Sequence, residues 1–319
     1  MRKLKLVLLS LLLTDIINAS SITFAISDGI EDPKLKAIIE SNVTKILNEV
    51  NAACKEKRAL DFSKMEVNPN VQESMTMLWE ISPFMCTDDD IIEHCLTTGN
   101  GYQIRNIPLL MMPNVKDSID KEEYQDAVIC FDKEGNVEKF YLSISMNLYM
   151  NIIKSNLGIT DLRRRQVILD YVEKFRTAFV QKDIKFIEQQ FSDESLCIVG
   201  ETITQKQDSA TAKIRNNIKQ TKDEFIRHLR GVLMRVETIK VDIDNIEIMP
   251  HPVNPNFYGL TIKLGWSATN YHDEGYLFQI WDFTDDNSPQ IPVTTWQPDM
   301  INGKPLPKEE IFGLKDFDI

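Results

Sequence analysis

The most constraining stretch of this chain lies between residues 238 and 298, where the runs TIKVDIDNIEI, GLTIKLGWSA, GYLFQIWDFT and IPVTTWQ follow a helical segment. They hold Trp266, Trp281 and Trp296, three of the four tryptophans. Long runs rich in β-branched and aromatic residues read as strands, and four in succession behind a helix predict an α+β fold built on an antiparallel sheet. The block carries no chemistry of its own. Elsewhere the sequence offers no nucleophile with a base at motif spacing, no phosphate loop and no metal-ligand cluster.

The elements before this block extend the pattern. Thr160 is expected to cap a long helix whose Ile168, Tyr171, Val172, Phe175, Ala178 and Phe179 form one apolar stripe, and Asp183 a short helix with Ile184, Ile187 and Phe191. The strand SLCIVGETI follows. A polar stretch with one further possible strand leads to a helix capped by Thr221, with Glu224 in the capping-box position. Arg163, Arg164 and Arg165 near the start of the long helix read as a solvated face.

The first half has similar grammar. Asp32 and Pro33 open a helix with Leu35, Ile39, Val43, Ile46, Leu47 and Val50 at helical spacing, and Asn68-Pro69 opens a second. A third helix is expected from Thr87, with Asp88, Asp89 and Asp90 in its first turn and His94 further along. Three strands follow, GYQIRNIPLLMM, YQDAVICF and VEKFYLSISM, the last two joined by the turn DKEGN. The helix NLYMNIIKS and Gly158 mark a boundary.

Residues 1–25 have the layout of a secretory signal: Arg2, Lys3 and Lys5, then LVLLSLLL, then small residues ending at Ala19 or Ala25. The apolar run is far shorter than the roughly 20 residues that span a bilayer, so no transmembrane span is expected after cleavage. The expected location is exported, periplasmic or cell envelope. The chain carries a formal net charge of -12, which repels phosphate backbones and argues against a nucleic-acid partner. The five cysteines are Cys54, Cys86, Cys95, Cys130 and Cys197; Cys86 and Cys95 alone are placed to form a disulfide.

The segment YVEKFRTAFVQKDIKFIEQQFSDESLCIVG, followed by FYGLTIKLGWSATNYHDEGYLFQIWDF and TWQPD, resembles a nuclear-transport-factor-2-like domain over about residues 160 to 300. The whole chain, including GYQIRNIPL and FDKEGNVEKF, is similar to a group of exported bacterial envelope proteins with two such domains in tandem. The resemblance implies a cystatin-like α+β cone, a curved antiparallel sheet wrapped by helices. Its domain division is 1–25 signal peptide, 26–157 a divergent N-terminal copy and 158–319 the C-terminal copy. In the first copy, ILNEVNAACKEKRALDF would parallel FRTAFVQKDIKFIEQQF. The fold hosts isomerases, dehydratases, polyketide cyclases and many noncatalytic domains, so it implies little about activity.

In such a cone a cavity lies between the long helix and the sheet, and its candidate liners are Tyr171, Phe175, Phe179, Trp266, Tyr276, Phe278 and Asp282. No catalytic or metal site, and no cofactor, is expected. Asp282 reads as a structural acid, and His272, Asp273 and Glu274 as a solvated hairpin tip. The function expected is noncatalytic binding of a small ligand or an envelope protein. The alternative is an isomerase, hydratase or cyclase with Asp282 as base and Tyr276 or Tyr171 as donor. Leu277, Trp281 and Phe283 are expected on the outer sheet face, covered by the first domain or by a second copy in a homodimer.

Overall fold

The computed structural model describes residues 21–112, 123–153, 158–207, 210–268, 271–301 and 303–318. The expected signal lies mostly outside the described residues. Strand β1 (Thr23–Ile26) leads to helix α1 (Pro33–Glu56), whose N-cap Asp32 accepts the amide of Lys34. Helix α2 (Pro69–Ile81) begins at the expected Asn68 cap, which accepts the Val71 amide. Both helices press an apolar stripe, including Val43, Leu47, Val50, Met75 and Leu78, into the first core.

The helix expected from Thr87 is instead strand. After β2 (Phe84–Cys86), strand β3 (Asp90–Glu93) pairs in parallel with β1. Alternation decides the matter: Ile91 is buried and Ile92 is 69% exposed, a period of two that outweighs the capping-like aspartates. His94 therefore sits between strands. Strands β4 (Cys95–Thr97) and β2 pair along different parts of β5 (Tyr102–Met111), and β6 (Glu123–Phe131) and β7 (Val137–Leu142) complete the first sheet. Cys86 lies opposite Leu109 and Cys95 opposite Ile104, five positions apart on one strand, or roughly 16 Å. Both thiols are free, because that separation exceeds what a disulfide spans.

Helix α3 (Met146–Ile153) precedes the long α4 (Ile159–Gln181), which is capped by Gly158 rather than Thr160 and has no side-chain cap bond. Helix α5 (Ile184–Gln190) starts at the expected Asp183. Strands β8 (Phe191–Gln207) and β9 (Ala210–Thr221) form a hairpin, so the polar stretch before the next helix is indeed strand. Helix α6 (Lys222–Leu233) carries the expected Thr221–Glu224 capping box. The four runs that opened the sequence reading become β10 (Ile239–Pro250), β11 (Phe257–Ala268), β12 (Tyr271–Asp282) and β13 (Gln290–Pro298).

The second sheet has the order β10-β11-β12-β13-β8-β9, antiparallel except where β13 meets β8. Helices α4, α5 and α6 cover its inner face, and their apolar side chains share one core with the inward residues of the sheet. The class is α+β, a curved sheet wrapped by helices. Among the described residues no helix is long and apolar enough to cross a membrane.

Helix α4 also joins the two halves through buried polar contacts. Its Glu173 pairs with Arg105 of β5, with a second contact at 3.2 Å, and accepts the Ile144 amide at 3.0 Å. Both side chains are at most 3% exposed. Burial pushes the Glu173 carboxyl above its usual range, against the pull of the guanidinium. Arg176 donates to the Val241 and Ser143 carbonyls, and Gln181 to the Ser74 carbonyl.

The arginine cluster is also not a solvated face. Arg163 is exposed, whereas Arg164 donates to Asp286 at 2.9 Å and to the Pro255 and Phe283 carbonyls, and Arg165 donates to the Ile248 carbonyl. These contacts tie the start of α4 to β10 and to the loops after β10 and β12.

Candidate functional site

Strand β12 decides which side chains reach the space under the helices. Leu277, Trp281 and Phe283 belong to the helix-side core, while Phe278 and Ile280 pack on the opposite face. The expectation had these faces reversed. Both faces of this strand are apolar, so a period of two separates them without saying which is inner. Trp281 is 1% exposed and meets Tyr171 edge-on, with ring centroids 4.7 Å apart.

The outer face is covered, as expected, but by the chain's own C-terminus rather than by the first half or a second copy. Phe312, Leu314 and Phe317 pack against Phe278, Ile280 and Val293, with Phe317 stacked on Phe278 at 5.8 Å. Gln297 fastens this segment, accepting the Phe312 amide at 2.8 Å and donating to the Glu310 carbonyl at 3.0 Å. A Cβ on Gly259 would lie 2.8 Å from Leu314, so glycine there is what lets the segment approach the sheet.

Beneath the helices lies a chamber of about 1010 Å³, walled by Phe175 and Phe179 of α4, Phe225 and Leu229 of α6, and Leu264, Trp266 and Leu277 of the sheet. Of the candidate liners, the structure brings Phe175, Phe179 and Trp266 to this chamber; Tyr171 lies buried behind its floor. Tyr276 and Phe278 are not on its wall, and neither is Asp282, whose carboxylate accepts the amide and hydroxyl of Thr284 in the turn after β12. A catalytic base at Asp282 therefore has no access to the chamber.

The floor is polar. Gln279 is fully buried and donates through Nε2 to the Tyr171 hydroxyl at 3.2 Å and to Thr294 Oγ1 at 3.5 Å. Its Oε1 has no hydrogen-bond partner among the described residues, and the same holds for Gln220 Oε1 and Trp266 Nε1, all three on residues that line the chamber. Burial pushes the Tyr171 hydroxyl up, which keeps it protonated.

The mouth is aromatic and acidic. Asp273 Oδ2 accepts from the Tyr271 hydroxyl at 3.1 Å and from Trp296 Nε1 at 3.2 Å. Burial raises the Asp273 carboxyl above its ordinary value, against those two donors, and burial beside Asp273 pushes Tyr271 to about 12. Trp266 meets Tyr271 at 5.5 Å, nearly edge-on. A Cβ on Gly275 would fall 2.9 Å from the Trp296 ring, so glycine makes the room that ring occupies. His272 is exposed at the hairpin tip and bonded to Ser267 and Glu274. Among the described residues no three His, Cys, Asp or Glu side chains group as a metal site.

Solved structures similar to the chain include a nuclear-transport-factor-2-like protein from Cytophaga hutchinsonii, 15% identical over 42% of this chain and 98% of that one, with a TM-score of 0.31. A nuclear-transport-factor-2-like superfamily protein from Salmonella enterica serovar Typhimurium is 13% identical over 44% of this chain and 93% of its own, at 0.33. A Bdellovibrio bacteriovorus protein is 12% identical over 63% of this chain and 78% of its own, at 0.32. No family model matches the chain, and no curated protein does.

The sequence reading missed Gln279, Thr294, Asp273 and Trp296 as site residues. One signal was present: Gln279 is a polar residue inside an otherwise apolar strand, GYLFQIWDF. A buried polar side chain needs a partner or a ligand, which makes such an interruption informative.

Proposed function

We propose that this protein is an exported, noncatalytic binding protein of the cell envelope that holds a small, largely apolar molecule in the chamber of its second half. The observation that carries the reading is a chamber of about 1010 Å³ with phenylalanine and leucine walls and a fully buried Gln279 whose Oε1 lacks a partner among the described residues. A site of that kind suits ligand capture, apolar burial giving affinity and a few fixed polar atoms giving orientation. The noncatalytic part is supported by Asp282 lying off the chamber wall, bonded to Thr284.

The export part rests on the N-terminal pattern, and the first strand narrows the cleavage site. Ile22, Phe24 and Ile26 are buried in the first core, so cleavage after Ala25 would strip β1 from β3. We propose cleavage after Ala19. Sequencing the N-terminus of the envelope-fraction protein should give Ser20; a protein starting at Met1 and confined to the cytoplasm would reject export. The binding reading is tested by native mass spectrometry of the purified full chain. A discrete adduct of a few hundred daltons, lost when Leu229→Trp places a bulky ring in the chamber, is the expected result. Equal masses for both proteins, with no uptake of any hydrophobic probe, would reject it.

A further inference from the structure

The chamber's polar atoms are unequal in kind, and that asymmetry narrows what can fill it. Both donors at the mouth, Tyr271 and Trp296, converge on Oδ2 of Asp273, and no described residue donates to Oδ1. Asp273 makes no ion pair with a described lysine or arginine. Deeper in, Gln279 Oε1 is an acceptor without a partner among the described residues, on a residue with no solvent exposure, and Oε1 of the half-buried Gln220 on the edge strand β9 is another. Among the described residues that line the chamber, Trp266 Nε1 is the buried donor without a partner, and Trp281 Nε1 is another behind the floor, off the wall. An occupant that relieves the imbalance must bring donors, and at the mouth it must bring positive charge.

The mouth is shaped for such a charge. Trp266, Tyr271 and Trp296 line the same opening as Asp273, Glu274 and Asp299. Aromatic faces attract a cation through their quadrupole, and a partly desolvated carboxylate is stabilised most by an adjacent cation. The one nearby lysine, Lys263, is 3.7 Å from Asp299 and 3.9 Å from Asp244. The chamber wall also carries two basic residues, His228 and Arg235, of α6 and the turn after it; both are exposed, and Arg235 donates to the Gly231 carbonyl. The -12 net charge of the chain acts in the same direction at longer range.

We infer that the ligand is an alkylammonium-type molecule, its ammonium group seated between Trp266, Tyr271 and Trp296 on Asp273 and its apolar body lying along the phenylalanine walls toward Gln279. This rests on the binding reading given above and names the chemical class for that same chamber. The other classes are disfavoured by the same residues: an anionic head would meet three acids at the mouth, and a neutral head would leave Asp273 Oδ1 uncompensated.

Three probes with one apolar body separate this inference from the reading beneath it: octylammonium, 1-octanol and octyl sulfate, each below its aggregation limit. They are titrated into the full chain at pH 7 by calorimetry. Octylammonium should bind about tenfold or more tightly than 1-octanol, with octyl sulfate weakest, as expected for one cation–π and carboxylate contact in a desolvated site. Asp273→Asn should bring octylammonium to the level at which the same variant binds 1-octanol. The ranking in the unmutated protein stands as a test should that variant fold poorly. If 1-octanol binds as tightly as octylammonium, or if Asp273→Asn keeps the preference, the ammonium inference is wrong while the chamber remains a binding site. If none of the three binds, the binding reading falls and the inference with it.

Discussion

The first and second sheets of this molecule are both flanked by helices, yet one is packed solid at its inner face and the other holds a chamber. In the first half the inward residues of β5, β6 and β7, among them Ile104, Ile107, Leu109, Ile129, Phe131 and Phe140, form one core with α1 and α2, and each is at most 2% exposed. In the second half the equivalent layer includes Gln279, Thr294, Trp266 and Trp296. Close packing needs apolar side chains that interdigitate across facing elements. Two polar residues and two rings turned toward the mouth interrupt that interdigitation.

The largest expected effect separates the two regions by stability. Phe84 is fully buried between Trp79 and Phe140, with ring centroids at 5.4 Å and 5.7 Å. Phe84→Ala should cost about 3–5 kcal/mol, the range for opening a cavity in a packed core. Phe179→Ala, on the wall of a space that is already open, should cost about 1 kcal/mol and weaken ligand binding instead. Chemical denaturation of both variants checks this; equal costs would mean that the second half is as tightly packed as the first.

Next in size is the outer face of the second sheet. Ending the chain after Leu306 removes Phe312, Leu314 and Phe317 and uncovers Phe278, Ile280 and Val293. The loss should be about 2–4 kcal/mol, with concentration-dependent association visible by light scattering, since an exposed apolar sheet face seeks a partner. A truncated chain that stays monomeric and equally stable would show that the segment covers nothing of consequence.

The smallest effect concerns pH. The folded Asp273 carboxyl is raised above its ordinary carboxylate range, first by burial and then by Asp299, against Tyr271, Trp296 and His272. The folded state therefore holds that proton more tightly than the unfolded chain. The resulting penalty is present above the folded pKa and is relieved as pH falls through it toward the unfolded value. Asp273→Asn should be more stable than the unmutated protein at pH 7, with the gap closing toward pH 4. Thermal unfolding of both proteins at several pH values measures this, and a gap that widens on acidification would reverse the assignment.

Much of the fold was legible because its signals are local. The caps at Asp32, Asn68, Asp183 and Thr221 and the four long strands follow from residue chemistry within a few positions. The expected helix at Thr87 shows the limit: three aspartates imitate a helix start, and only the pairing of β3 with β1, some 67 residues away in the chain, makes them strand. The site was half legible. Phe175, Phe179 and Trp266 reach the chamber, whereas Tyr276, Phe278 and Asp282 do not, because β12 is apolar on both faces and its inner side is chosen by what packs there. Arg164 reads from the sequence as part of a solvated face, and its burial depends on the Pro255 and Phe283 carbonyls supplied by distant segments.

The central claim, that the second half is hollow in order to hold a molecule, is tested most directly by obstructing it. A fluorescent apolar probe such as 1-anilinonaphthalene should bind the unmutated full chain at one saturable site and quench the tryptophans at the mouth. Leu229→Trp, which leaves the first core untouched, should abolish that binding while the protein unfolds at the same denaturant concentration or higher. Unaltered probe binding by a well-folded Leu229→Trp variant, or no saturable binding by the unmutated chain, would contradict the account.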